Sequence, residues 1–202
     1  MVKKKDKISR SFFLTPTVLL AKKLLGWQIF TKINGVITGG IIVETEAYHG
    51  PTDEACHCHY GKTKRNEVMF KEGGHLYVYF TYGMHYCANI VAEKEGIGAA
   101  VLLRALEPTV GIETMLRRRK VREIKDIANG PAKLCQALKL TSKLNGEDLL
   151  SSSRVWLVKP RRVLKSQEIQ CAERIGISKA KDLPWRFFIK DNKFVSVYPK
   201  HL

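Results

Sequence analysis

No stretch of this chain approaches the roughly 20 consecutive apolar residues that a membrane-spanning helix needs. The longest apolar runs, such as Ala99 to Leu103, stop far short, so a soluble protein without a membrane partner is expected. Acidic residues are scarce: 19 Asp and Glu stand against 35 Lys and Arg, a net charge of +16. Such a surplus selects polyanions as partners through counterion release at phosphates, with nucleic acid ahead of anionic lipid. CxxC pairs are missing, and so is the PCxxC half of the zinc-deaminase signature. A cleavable leader is not evident either. The basic opening MVKKKDKISR is followed by SFFLTPTVLL, which is broken at Thr15-Pro16 and has no small-residue cleavage site. The five cysteines, Cys56, Cys58, Cys87, Cys135 and Cys171, are therefore expected as free thiols in a reducing cytoplasm. No repeat, linker or low-complexity tract divides the chain. What is present, 202 residues with 45% hydrophobic and 27% charged, fits one folded domain over residues 13–202 behind a basic arm at 1–12.

Thr15 or Thr17 is placed to cap a helix through VLLAKKLLG, with Gly26 as its stop. WQIFTKI, Asn34-Gly35 and VITGGIIVETEAY read as a hairpin, because Asn-Gly tolerates the positive dihedrals of the tightest turn. YGKTKRNEVMFK has no clear period and reads as a loop, in which Lys62, Lys64 and Arg65 either meet phosphates or are simply solvated. HLYVYFTY is a predicted strand that puts His75, Tyr77, Tyr79 and Thr81 on one face. HYCANIVA is another, and Tyr82-Gly83-Met84 forms the tip between them. There an aromatic and a thioether protrude, as a wedge between bases would, unless Tyr82 folds back on the core. IGAAVLLRALEP is an apolar strand with a single charge, Arg104, whose guanidinium needs an acceptor such as Glu44 or Glu46 once buried. VGIETMLRRRKVREIK reads as one basic helix, facing phosphates or solvent, and Pro131 opens a second helix, PAKLCQALKL. IQCAERIGI is helix-like; VWLV and WRFFIK close the sheet.

Chemistry concentrates between Ile41 and His59, in IIVETEAYHGPTDEACHCH. On a strand, Glu44, Glu46 and Tyr48 share one face, and Val43, Thr45 and Ala47 the other; Gly50-Pro51 turns the chain, and His57 and His59 return towards Glu46. Three readings compete. Cys56, His57, Cys58 and His59 are legitimate zinc ligands, but adjacent ligands strain against one tetrahedral centre. Glu44, Glu46, Asp53 and Glu54 are a possible magnesium site of a nuclease. The third reading uses no metal or cofactor. Glu46 is a general base on water, Arg104 helps hold that water or the carboxylate, and Tyr48, His57 and Tyr79 form a cleft for a flat ring. A base must leave the stack to reach such a cleft, and Tyr82 with phosphate contacts would offset the cost of extracting it. A non-catalytic nucleic-acid binding module would use the same surface.

The segments VETEAYHGPTDEACH, RN, MF, LYVYFTYGMHYCANI, VLLRALEP and GPAKLCQAL, in that order, resemble the signature of the alkyladenine (3-methyladenine) DNA glycosylase family, from about Phe13 to the C-terminal strand. The resemblance implies a mixed α/β (α+β) single domain with a curved, largely antiparallel sheet flanked by helices. It also implies a monofunctional, cofactor-free enzyme of base excision repair. Such an enzyme flips alkylated or deaminated purines out of double-stranded DNA and hydrolyses the N-glycosidic bond with an activated water. By the same resemblance Glu46 is the general base and Arg104 helps place the water. Tyr48, His57 and Tyr79 contact the flipped base, Tyr82 fills the vacated space, and Asn89 crowds the exocyclic amine of guanine. Lys62, Lys64, Arg65, Met84 and His85 would lie along the DNA backbone. A monomer in the cytoplasm, nucleoid-associated in a bacterium, is expected. Three departures stand out: His85 where a second aromatic often follows YGM, Lys64 in place of a proline-type turn, and an enlarged loop with Glu93, Lys94 and Glu95.

Overall fold

One strand organises the fold. In a computed structural model, which describes residues 8–81, 83–160 and 162–199, strand β2 (Val36–His49) is the longest element. It rises from β1 (Gln28–Ile33) through the expected turn, where Asn34 and Gly35 both take positive φ, 52° and 80°, as the tightest hairpin requires. One edge of β2 carries β1 over its first half and β8 (Arg186–Ile189) at Glu44 to Glu46; the other edge carries β5 (Ala99–Val110) along most of its length. Beyond β5 come β4 (His85–Ala92) and then β3 (Leu76–Thr81). Beyond β1 lies β6 (Val155–Val158), and β7 (Ile169–Ala172) pairs only with β8. Every ladder is antiparallel. The result is a single mixed α/β domain around a curled antiparallel sheet. Among the described residues no helix is long and apolar enough to cross a membrane.

Among the described residues four α-helices flank the sheet: α1 (Arg10–Phe13), α2 (Thr17–Lys23), α3 (Ile112–Arg119) and α4 (Pro131–Leu138). Helix α2 lies against β2, where the buried Thr45 hydroxyl donates to the Ala21 carbonyl at 2.9 Å. Its N-terminus is capped from a distance. The Glu93 carboxylate accepts from the Thr17 backbone N–H at 2.8 Å and from the Thr17 hydroxyl, so the acidic group in the enlarged loop satisfies orphan donors and complements the helix dipole. Thr17 is inside the helix rather than its cap. In α4, Pro131 occupies the first turn as expected.

Four expectations change. The folded unit begins before Phe13: Arg10, assigned to the arm, donates to the Gly73 carbonyl and the Asp148 carboxylate at 2.8 and 2.7 Å, and Phe12 packs on Trp27 with ring centroids 4.5 Å apart. Residues 1–7 lie outside the described residues. The basic helix is shorter than its composition implies, because Lys120 is left-handed. Two of its arginines turn inward, Arg118 to the Ala137 carbonyl and Arg119 to that of Ile127, so they tie α3 to its neighbours instead of facing phosphates. IQCAERIGI is not helical: its first half is β7, an ambiguity that short apolar runs cannot resolve by periodicity. Finally, the alternation along β2 breaks at Val43. The register against β5 slips between Ile42 and Glu44 and again before Thr45, so Val43 leaves the side of Thr45 and Ala47 and packs with Ala105 and Phe194. This bulge re-aims the strand just before its functional half.

Candidate active site

The register across four strands assembles a row of side chains: Tyr77 on β3 pairs with Asn89 on β4, Asn89 with Leu102 on β5, and Leu102 with Glu46 on β2. Directly paired residues project to the same face of a sheet, so Tyr77, Asn89 and Leu102 line a cavity of about 470 Å³ and Glu46 ends the row beneath its surface. Tyr79, Cys87 and Arg104 line it from the neighbouring row. After the turn at Gly50, the returning loop closes one side with His57, and Ile175 to Lys179, a strap between β7 and β8, closes the other.

His57 stands edge-on to Tyr79, with ring centroids 4.6 Å apart, and its Nδ1 is 3.3 Å from the Tyr77 hydroxyl. Tyr77 and Tyr79 stack at 5.4 Å and 26°. Desolvation where the ring meets the cavity, aided by the charge of Arg65, holds His57 below its usual value of 6.5. The cavity thus offers a wall of electron-rich rings and one imidazole.

Behind that wall sits a network of charge. Glu46 is fully buried. It accepts from the Tyr48 hydroxyl at 2.8 Å on one oxygen, and on the other from the Ile175 backbone N–H at 2.8 Å with Arg104 Nη1 at 3.1 Å. These three partners all line the cavity, so Glu46 is one layer behind its surface. Burial and the adjacent carboxylate push the Tyr48 phenol far above its usual value of 10, which keeps it a donor. Arg104 also donates Nε to Glu44 at 3.2 Å, so it bridges both carboxylates that the sequence offers as its acceptor. Glu44 is completed by Arg186 Nη1 at 3.0 Å and by the backbone N–H and hydroxyl of Ser196 at 2.7 and 2.9 Å. The Asn89 amide donates to the Tyr77 carbonyl at 3.2 Å and remains at the cavity.

The other expected positions divide. Glu46, Arg104, Tyr48, His57, Tyr79 and Asn89 converge on one cavity. Lys62, Lys64, Arg65, Met84 and His85 are exposed outside it; Arg65 donates to the Phe80 carbonyl at 3.2 Å, and Met84 is 71% exposed. Tyr82 lies outside the described residues. The four carboxylates of the magnesium reading do not converge: arginines hold Glu44 and Asp53, and Glu54 pairs with Lys179 at 3.6 Å. Within CHCH, Cys56 and Cys58 join a buried cluster with Met69, His59 Nδ1 meets the Gly50 carbonyl at 3.1 Å, and only His57 reaches the cavity. All five cysteines are free.

Sequence reasoning missed three features. Tyr77 was placed on the correct face without a role, although the alternation that selects Tyr79 selects it too. The strap at Ile175 to Lys179 starts within the helix-like run IQCAERIGI and continues past its end. The buried pair of Asp53 and Arg174, joined by two hydrogen bonds of 2.5 and 2.8 Å, links positions 121 residues apart, and no local pattern marks it.

The site of this strongly basic protein is an aromatic chamber in the sheet, backed by a carboxylate and an arginine. The description of the methylpurine-DNA glycosylase family matches residues 11–193. Proteins called "Putative 3-methyladenine DNA glycosylase" are similar over most of their length. The one from Carboxydothermus hydrogenoformans is 47% identical, covering 94% of this chain and 98% of its own. That of Francisella tularensis subsp. tularensis (strain FSC 198) is 51% identical, covering 89% and 93%, and that of Chlorobaculum tepidum is 48% identical, covering 94% and 90%. The chain belongs to the methylpurine-DNA glycosylase family. It is thus a DNA-repair hydrolase that cleaves N-glycosyl bonds and takes DNA as its substrate.

Proposed function

We propose that this protein removes 3-methyladenine-type alkylated purines, and deaminated purines, from double-stranded DNA by flipping the nucleotide into the aromatic cavity and hydrolysing its glycosidic bond with a water activated by Glu46. The observation that carries this reading is the placement of Glu46 behind Tyr48, Arg104 and Ile175. A carboxylate offers about four lone-pair sites; two accept hydrogen bonds here and Arg104 adds an ion pair, so it keeps acceptor capacity for a water. Substrate entry has to open a water's width beside Tyr48, because the carboxylate is covered. As the bond from C1′ to the base nitrogen breaks, the water oxygen bonds to C1′, Glu46 takes the proton, and the electron pair leaves with the base. Arg104 holds Glu46 in place and opposes its charge.

An alkylated purine is cationic and attracted to the faces of Tyr48, Tyr79 and the His57 ring. Its bond breaks with little acid assistance. A neutral deaminated purine needs a donor, supplied by the backbone or by His57. Asn89 discriminates against guanine by crowding its exocyclic amine. Tyr82 fills the space left in the duplex, and Lys62, Lys64, Arg65, Met84 and His85 follow the backbone. The unit is a monomer whose glycosylase domain includes the packed Arg10 and Phe12, working in the cytoplasm or on the nucleoid without a metal or cofactor.

The deciding assay incubates duplexes, each with a single modified purine, with the protein and a chelator. Release of the free base with an intact strand is the expected result. Chelator-sensitive strand cutting would make it a nuclease, and binding without release a recognition module. Replacing Tyr82 by Ala should weaken stable flipping, read as loss of signal from a fluorescent base opposite the lesion.

A further inference from the structure

We propose that Arg174 is a positioning residue for this reaction: through its ion pair with Asp53 it holds Tyr48 and the Ile175 N–H against Glu46. The inference rests on the reading of Glu46 as the base.

Arg174 is itself buried, and it lies against both hydrogen-bond donors to Glu46, Tyr48 by contact and Ile175 as its chain neighbour. The Nη atoms grip the Asp53 carboxylate with two hydrogen bonds, and Asp53 begins the loop that ends in His57. Nη1 donates to the Ala47 carbonyl at 2.9 Å, the backbone group between Glu46 and Tyr48. The guanidinium carbon lies 4.6 Å from the centre of the Tyr48 ring, which places the cation against that ring. Nη2 donates to the Ala180 carbonyl at 3.2 Å, just past the strap. The adjacent residue, Ile175, donates to Glu46. One planar fork therefore ties the β2 strand, the His57 loop and both ends of the strap. A lysine could not reproduce it, because an ammonium is a point charge without the bidentate geometry.

The arrangement is not optimised for stability alone. Arg174 Nε is buried with no hydrogen-bond partner among the described residues, and an unmet buried donor costs about 1–3 kcal/mol. The fold tolerates that cost with the guanidinium wedged between Tyr48 and, 5.4 Å away on its ring centre, Trp185. Buried groups left unmet call for an explanation, and a guanidinium set by the geometry of Glu46 and Tyr48 supplies one.

The test uses the full chain with Arg174→Lys, which keeps the charge, Asp53→Asn, which keeps the shape, and the double variant. Three quantities are measured: the single-turnover rate on a duplex carrying one alkylated purine, the Kd for a duplex with a tetrahydrofuran abasic site, and the melting temperature. Misplacement of catalytic groups by a fraction of an ångström lowers rates steeply, so each single variant should lose about tenfold or more in rate. Kd should stay within about threefold, since binding and chemistry are separable. The double variant should be no worse than either single, because the two residues act as one unit. Rates within about twofold of the parent, or a deficit that vanishes when the assay is cooled well below the melting transition, would overturn the assignment. Glu46→Gln serves as the control. If it is inert while Arg174→Lys is fully active, the positioning role alone falls; if it is active, the role of Glu46 as base falls with it.

Discussion

Glu44 and Glu46 are two residues apart on one strand, both fully buried, and both touch Arg104. Glu44 accepts four hydrogen bonds, three on Oε1 from Arg104, Arg186 and the Ser196 hydroxyl and one on Oε2 from the Ser196 N–H. All come from the body of the domain, and none faces the cavity except through Arg104. Glu46 holds three partners, each of which lines the cavity. A carboxylate held by donors from inside the domain is a structural anion, and one whose partners all line a cavity is placed to act as a base. The difference originates in neither residue but in which neighbours β2 acquires along its length.

Substitution should break the pair apart. The largest effect is expected for Glu46→Gln: base release should fall by about 10²- to 10⁴-fold, the usual contribution of a general base, with DNA affinity retained in a gel-shift assay. Next comes Glu44→Ala, which leaves Arg186 and half of Arg104 without a counter-charge. It should cost about 3–5 kcal/mol of stability, read by urea unfolding, while the excision rate per folded molecule falls far less than in the Glu46 variant. A reversal of those two phenotypes would invert the roles assigned here. Asn89→Ala should loosen discrimination by about tenfold, measured as release of guanine relative to an alkylated purine. The smallest effect sets the scale for charge pairs outside the core. Partial burial raises the Asp148 carboxyl, but the Arg10 hydrogen bond and the Leu150 N–H outweigh it and hold it below its ordinary 3.8. A carboxyl depressed on folding contributes stability that is present above its unfolded pKa and lost as pH falls through the folded one. Arg10→Ala should therefore remove a few tenths of a kcal/mol at pH 7, as partly exposed pairs do, and flatten the loss of stability below about pH 4. Melting curves over that range would show it.

Much of this site is local in sequence. Period-two alternation places Tyr79 with Tyr77, Asn-Gly specifies the β1–β2 turn, and a lone Arg104 in an apolar strand demands a carboxylate partner. These inferences need only the neighbours of each residue. Those that failed needed more. Whether Val43 faces with Thr45 depends on a bulge against β5, whether IQCA is strand or helix depends on a partner strand near Arg186, and the direction of Arg118 and Arg119 depends on where α4 ends.

From the sequence alone came the class of partner, because net charge is a sum that folding does not alter, and the types of group available for chemistry, because a strand's period and its turn residues are local properties. Only the tertiary structure decided that Glu46 rather than Glu44 backs the cavity, that Asp53 is occupied by Arg174, and that a strap from the far end of the chain supplies a donor to Glu46. Each of these turns on which side chains meet across more than a hundred residues. Burial then determines their charge states and partners, and burial belongs to the assembled fold.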